Sequence, residues 1–297
     1  MTLAITGASG NLGRRTAELL LEGGVDPSQV VLLTRTPSNL DDFAAKGVQV
    51  RAADFDDPSS LPAAFDGVDR LLLISTDTVG ARIEQQTRAI DAAKAAGVGH
   101  VIYTSAPQPS TENPALVVVD HLATEEHLRA SGLDWTFLRN NLYSEFQLGS
   151  GAQAVASGQI FTNAGDRGAA YVSREDCAAA AAAVLAGGAE HAGQAYEISG
   201  GEALTQDQVA ALLTEVTGKP VAVVQVDDEG LTGGLTAAGL PDFIIPVLVT
   251  FGTAQREGYL DLVTTAVADL TGRQPTPLRD VLVAGKDELQ APQPAAH

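Results

Sequence analysis

The chain has 297 residues, 45% apolar and 19% charged, enough for one large or two modest domains around a sizeable core. Its 18 basic and 37 acidic residues leave a formal charge of −19, a surface that repels phosphate backbones and anionic lipid, so nucleic acid and membrane surfaces are poor partners. The same charge also serves plain solubility. The one cysteine, Cys177, rules out an internal disulfide and supplies no metal cluster; it reads as a small buried side chain in a helix.

The opening Met-Thr-Leu-Ala-Ile-Thr-Gly has no basic leader and turns by its seventh residue, and no apolar run is long enough for a bilayer, so a cytoplasmic protein is expected. Short β-branched runs then alternate with longer helical stretches, the pattern of a parallel sheet covered on both faces. Strands are expected at Leu3–Thr6, Val30–Thr34, Val48–Ala52, Arg70–Ile74, His100–Thr104 and Asp134–Leu138. Helices are expected near Leu12–Glu22, Asn39–Lys46, Ser60–Phe65, Arg82–Ala96 and Val117–Ser131, several stopped by glycine.

After about residue 140 the rhythm changes. Gly149-Ser-Gly and Gly165-Asp-Arg-Gly read as loops, Arg174–Leu185 as an alanine-rich helix made for close packing, and Gln194–Ser199 as a strand able to return to the main sheet. A helix at Leu204–Gly218, a strand at Val221–Val226 and further helices to about Leu270 follow; Gln290–His297 is expected to fray. The predicted architecture is thus a doubly wound α/β Rossmann sheet with helices on both faces and a smaller interleaved C-terminal α/β lobe. Residues 1–140 form the nucleotide-binding domain, with 170–199 returning to it, and 141–169 plus 200–297 form a substrate-binding lobe.

The first strand runs directly into Gly7, Ala8, Ser9, Gly10, Asn11, Leu12 and Gly13, and an amphipathic helix follows. That context makes the glycine pattern a dinucleotide fingerprint: Gly7 for the tight turn, Gly10 for close approach of the pyrophosphate, Gly13 for packing of helix on strand. The helix start offers N–H donors and a positive dipole end to phosphate. Arg35 closes the second strand where a ribose-binding carboxylate would favour NADH; arginine matches a 2′-phosphate, so NADPH is the expected cofactor, the alternative being a solvated surface arginine. Asp54 and Phe55 follow the third strand as candidates to flank adenine, though Asp54 is equally a turn cap. Ser75 and Thr76 end the fourth strand at the ligand-binding edge. No Cys/His cluster suggests a metal.

These features, with Leu72-Leu-Ile-Ser75, Ala92-Ala-Lys-Ala-Ala-Gly-Val98, Tyr103-Thr-Ser105, His121-Leu-Ala-Thr-Glu125, the run from Thr136 through Asn140-Asn141 to Glu145, and Thr162-Asn-Ala-Gly165, resemble the NmrA-like atypical short-chain dehydrogenases, in particular their type 2 NAD(P)H:quinone oxidoreductase and triphenylmethane reductase branches. The likeness covers the chain to about residue 220. Short-chain dehydrogenases usually carry Ser, Tyr and Lys; here Ser105 matches the serine and is a cofactor-binding candidate by that resemblance, while Val117 and His121 stand at the tyrosine and lysine positions. With the tyrosine relay missing, the resemblance implies hydride transfer to an extended conjugated acceptor such as a quinone or cationic dye. His121 is a candidate to bind the nicotinamide ribose or to supply a proton, or is simply a helix histidine satisfied by Glu125.

The resemblance places Asn140 and Asn141 at the nicotinamide end, against the alternative of a turn. Tyr143 and Phe146 are candidates to wall a flat pocket, with core packing the alternative, and Tyr103 is expected to pack. His121, Asn141 and Tyr143 are thus the catalytic candidates. A non-catalytic NADP(H)-binding redox sensor acting on a protein partner is the competing reading, reduction of an enal or imine a third, and a homodimer is compatible with the sequence.

Overall fold

The computed structural model describes residues 1–78 and 80–291. In chain order it contains β1 (Leu3–Ile5), α1 (Asn11–Glu22), β2 (Val30–Thr34), α2 (Asp41–Ala44), β3 (Gln49–Ala52), α3 (Leu61–Phe65), β4 (Arg70–Leu73), α4 (Arg82–Ala95), β5 (His100–Ser105), α5 (Leu116–Ser131) and β6 (Asp134–Asn140). There follow α6 (Phe146–Ser157), β7 (Gln159–Thr162), α7 (Arg174–Gly187), β8 (Gln194–Ile198), α8 (Gln206–Thr217), β9 (Ala222–Gln225), α9 (Asp228–Ala237), α10 (Ile245–Glu257), α11 (Ala266–Thr271), α12 (Leu278–Ala284) and α13 (Lys286–Gln290). Fraying was expected from Gln290 onward; Gln290 ends α13, and 292–297 lie outside the described residues.

Seven parallel strands form one sheet in the order β3-β2-β1-β4-β5-β6-β8. The central strands β1, β2 and β4 are mainly apolar because both faces are covered there. With the two-residue side-chain period, Leu3, Ile5, Leu32 and Leu72 enter the core under α1 and α7, while Ala4, Val31, Leu33 and Leu71 enter the core under α3, α4 and α5. The alanines of α7 let it lie close to α1: Ala178, Ala180 and Ala181 are fully buried, beside a buried Cys177. Strand order reverses between β1 and β4, which opens a crevice at their carboxyl ends.

A second sheet pairs β7 with β9 in parallel, and α6, α8, α12 and α13 pack around it over a third core that includes Leu213, Leu282 and Leu289. Two readings of this region are corrected. Gly149-Ser-Gly is not a loop but lies inside α6, and Gln159–Thr162 forms an unanticipated strand. The reason is packing: a Cβ on Gly151 would stand 2.8 Å from Leu213 and 2.9 Å from Leu289, so the glycine admits two neighbouring helices. Although α11 falls within the 200–297 stretch expected in the lobe, it packs against α7 and β8 and puts Val267 into the main core.

Candidate active site

The crevice at the β1/β4 reversal is a cleft of about 310 Å³. Gly7 turns the chain out of β1 at φ +58°, a conformation open to glycine. Gly10 caps α1 without a side chain, so no side chain competes for the N–H groups of the first helical turn. Gly13 is buried, and a Cβ there would meet the Gly7 carbonyl at 2.6 Å and Ala8 Cα at 2.9 Å. Gly10 has no such crowding behind it, only the Gly7 carbonyl at 3.3 Å. Ser9 is tied by a 2.9 Å hydroxyl contact to Thr34, Ala8 and Leu12 are buried beneath the turn, and Asn11 is exposed at the helix start.

The cleft wall brings together Gly7, Ser9, Gly10, Arg35, Asp54, Phe55, Ser75 and Thr76. Arg35 is exposed at the rim and, among the described residues, has no carboxylate within ion-pair distance. Asp42 instead holds Arg14 of α1 at 2.8 Å. The Asp54 carboxylate accepts the Asp56 N–H at 3.0 Å, a local turn, and so fills the cap role while also lining the cleft. Two lining residues carry buried polar atoms without a hydrogen-bond partner, Thr76 Oγ1 and Gln85 Oε1. Gln85, like Asp56 and Ile74 of the same wall, carried no signal in the sequence: α4 brings it to the crevice, where its amide N–H group is held by Asp56 at 2.9 Å.

The remaining candidates lie outside this wall. Ser105 donates at 2.7 Å to Glu125, which is fully buried and also accepts from Arg129 and Arg139. Arg139 continues to Glu197 at 3.0 Å, and Glu197 accepts the Gln108 N–H. Glu125 therefore does not satisfy His121, as one reading of the sequence had it. His121 Nδ1 instead meets the Tyr103 hydroxyl at 2.8 Å. Tyr103 does pack, being fully buried, but it is also a polar partner. Burial, reinforced by the charge of Arg82, pushes His121 down to about 3, so its ring is neutral near pH 7 and cannot serve as an imidazolium acid there.

Asn140 ends β6 with a buried, unpartnered Oδ1 and an N–H donated to the Tyr143 hydroxyl at 3.3 Å. Asn141 is committed to local structure: its amide donates to the Leu260 carbonyl and accepts from the Leu142 N–H. Tyr143 is half-buried, and desolvation holds its hydroxyl above the usual range. Its ring lies 5.8 Å from that of Phe146, and the Arg174 guanidinium stands 5.4 and 5.5 Å from the two centroids. Phe146 is 54% exposed, which leaves an aromatic face open to a flat ligand. Among the described residues no cluster of three His, Cys, Asp or Glu could hold a metal ion, and no helix is long and apolar enough to cross a membrane.

Residues 1–250 match the NmrA-like family. Over 278 residues the chain is 38% identical to quinone oxidoreductase 2 of Escherichia coli, covering 94% of this chain and 96% of that protein. It is 28% identical over 272 residues to an NAD(P)H azoreductase of Xenophilus azovorans, covering 91% and 93%. Among solved structures, the NADPH-dependent quinone oxidoreductase of Escherichia coli complexed with NADPH aligns with a TM-score of 0.91 at 38% identity, over 95% of this chain and 98% of that one. Triphenylmethane reductase of Citrobacter sp. complexed with NADP(H) aligns at 0.85 with 32% identity, over 96% and 100%.

Proposed function

The chain belongs to the NmrA-like family, and from that membership and the geometry of its cleft we propose an oxidoreductase that passes hydride from NADPH to a quinone or a similar flat, conjugated acceptor. The observation that carries the reading is one cleft holding both the glycine turn at the α1 N-terminus and the exposed Arg35 at the β2 end. The residues fit a dinucleotide. The turn from Gly7 to Gly10 and the first N–H groups of α1 would hold the pyrophosphate, Arg35 the 2′-phosphate, and Phe55 the adenine. Thr76 Oγ1 and Gln85 Oε1 are buried polar atoms that a bound cofactor's hydroxyl groups would satisfy. When bound, the nicotinamide supplies the hydride.

The rest of the chemistry falls to positioning. Asn140 offers a free amide oxygen for a carboxamide N–H, and the Tyr143–Phe146–Arg174 face provides a platform for a flat ring. No tyrosine stands at position 117 and His121 is uncharged, so the site suits an acceptor that needs no strong acid in the hydride step. Azo compounds and triphenylmethane dyes share that property with quinones.

The test is steady-state oxidation of NADPH and NADH with a simple benzoquinone against an enzyme-free blank. Turnover preferring NADPH is the expected result. The absence of tyrosine and lysine at positions 117 and 121 favours one competitor, a redox sensor that binds dinucleotide without turnover. Tight NADPH binding with no activity on quinones or dyes would overturn the enzyme reading in its favour.

A further inference from the structure

A ladder of buried side chains joins α4, α5 and β5 behind the cleft. The Thr124 hydroxyl donates to the Asp120 carbonyl at 2.8 Å, which uses its only proton. Its oxygen therefore accepts from Gln86 Nε2 at 2.7 Å. This turns Gln86 Oε1, an obligate acceptor, toward the Tyr103 hydroxyl, which donates to it at 3.2 Å. With that proton spent, the Tyr103 oxygen receives a hydrogen bond from His121 Nδ1 at 2.8 Å. Gln86, Tyr103, Thr124 and His121 are all buried, so the ladder is shielded from exchange with water.

From this direction of donation we infer that neutral His121 is the Nδ1–H tautomer and presents a bare Nε2 lone pair as a hydrogen-bond acceptor for a ligand hydroxyl group. Nε2 has no protein partner among the described residues, and the residue is 7% exposed. Arg82 ties α5 to the cleft wall beside His121: its Nε holds the carbonyl of Thr76, a cleft-wall residue, at 2.7 Å, and its Nη1 stands 3.5 Å from the carboxylate of Asp120, the neighbour of His121 in α5. A nearby cation also disfavours a second ring proton. The hydroxyl group has two sources, the cofactor's ribose or a reduced acceptor such as a hydroquinone. Gln86, Tyr103 and Thr124 are then positioning residues, which fix what His121 offers without touching the ligand. Assignment of the ligand rests on the function proposed above; the tautomer does not.

The experiment is long-range proton–nitrogen NMR of the imidazoles in the full-length protein near neutral pH, with His121 signals identified by their loss in His121→Gln. We expect a protonated Nδ1 and an unprotonated Nε2. An Nε2–H tautomer, produced if Thr124 turned from Asp120 to Gln86 and the ladder reversed, would overturn the inference. Tyr103→Phe should remove the preference for Nδ1–H; an unchanged tautomer in that variant would deny Tyr103 its positioning role.

Adding NADP+ should move the Nε2 resonance if the donor is the ribose, and adding hydroquinone alone should move it if the donor is the acceptor. If neither does, the ligand contact is refuted. The effective ligand should bind His121→Gln about twofold to tenfold more weakly, the loss of one hydrogen bond. Failure of NADP+ to bind at all by calorimetry would instead refute the functional reading, with the tautomer still decided by the ligand-free spectrum.

Discussion

Arg35 and the two glycines that follow Gly7 separate three tasks by what surrounds each residue. Arg35 stands exposed with no carboxylate among the described residues within ion-pair distance, so its charge is available to a ligand. We predict that Arg35→Asp raises the Kd for NADPH about tenfold to a hundredfold, the loss of a charge-assisted pair, while NADH binding weakens little. Equal losses for both cofactors, read by fluorescence titration, would refute the 2′-phosphate assignment. Gly10 lines the cleft and a Cβ there would meet the Gly7 carbonyl at 3.3 Å, whereas on Gly13 it would meet that carbonyl at 2.6 Å and Ala8 at 2.9 Å. Gly10→Val is therefore expected to abolish binding of either dinucleotide with a smaller loss of stability than Gly13→Val. Gly13→Val is expected to cost about 1–3 kcal/mol of stability as well, the usual cost of overpacking. Denaturation of both variants beside their binding curves checks the pair, and matching stability losses would show that Gly10 is structural too.

At the scale of elements, local signal was strong where it coincided with burial and weak where glycine carried two meanings. The main strands were legible because Val, Ile and Leu recur where both faces of the sheet are covered, and the fingerprint helix because its glycines sit between strand and helix. α6 was not legible: Gly149 and Gly151 resemble a loop, and only the positions of Leu213 and Leu289 distinguish them. A Cβ on Gly149 meets nothing within 4 Å, while one on Gly151 meets both leucines. Gly149→Ala should therefore stabilise the protein by about 0.5–1 kcal/mol through helix propensity. Gly151→Ala should destabilise it, because its methyl group displaces packed leucines. Opposite signs in urea denaturation are the expected result; two stabilising substitutions would mean that the α6–α8 contact yields easily.

Across the whole molecule, the parts that sequence could not foretell are those in which distant residues complete one another. Ser105 was expected as a ligand group, yet its proton goes to Glu125, which is held by Arg129 and by Arg139, and Arg139 in turn binds Glu197 from β8. Nothing in the spacing of these residues announces the chain of charges; parallel pairing of β5, β6 and β8 creates it. The same holds for Tyr103, which looks like a core aromatic until α4 and α5 pack and bring Gln86 and His121 to its hydroxyl.

That long-range burial gives stability a pH dependence with a definite sign. In the unfolded chain His121 titrates near its ordinary value of about 6.5. In the fold, burial and Arg82 depress it to about 3. Between these two values the unfolded state binds the extra proton, so the contribution is complete above about pH 6.5 and is lost as pH falls toward 3. One proton corresponds to a slope of up to about 1.4 kcal/mol per pH unit in that window. Other groups titrate there too, including His100, which burial also lowers, but they are common to the wild type and His121→Gln. The stability difference between the two proteins, measured by urea denaturation from about pH 7.5 down to about pH 4.5, should therefore shift toward the variant as pH falls. A difference that stays constant with pH would mean that His121 keeps an ordinary pKa in the folded protein and reaches water freely, and the buried ladder would then not describe the native state.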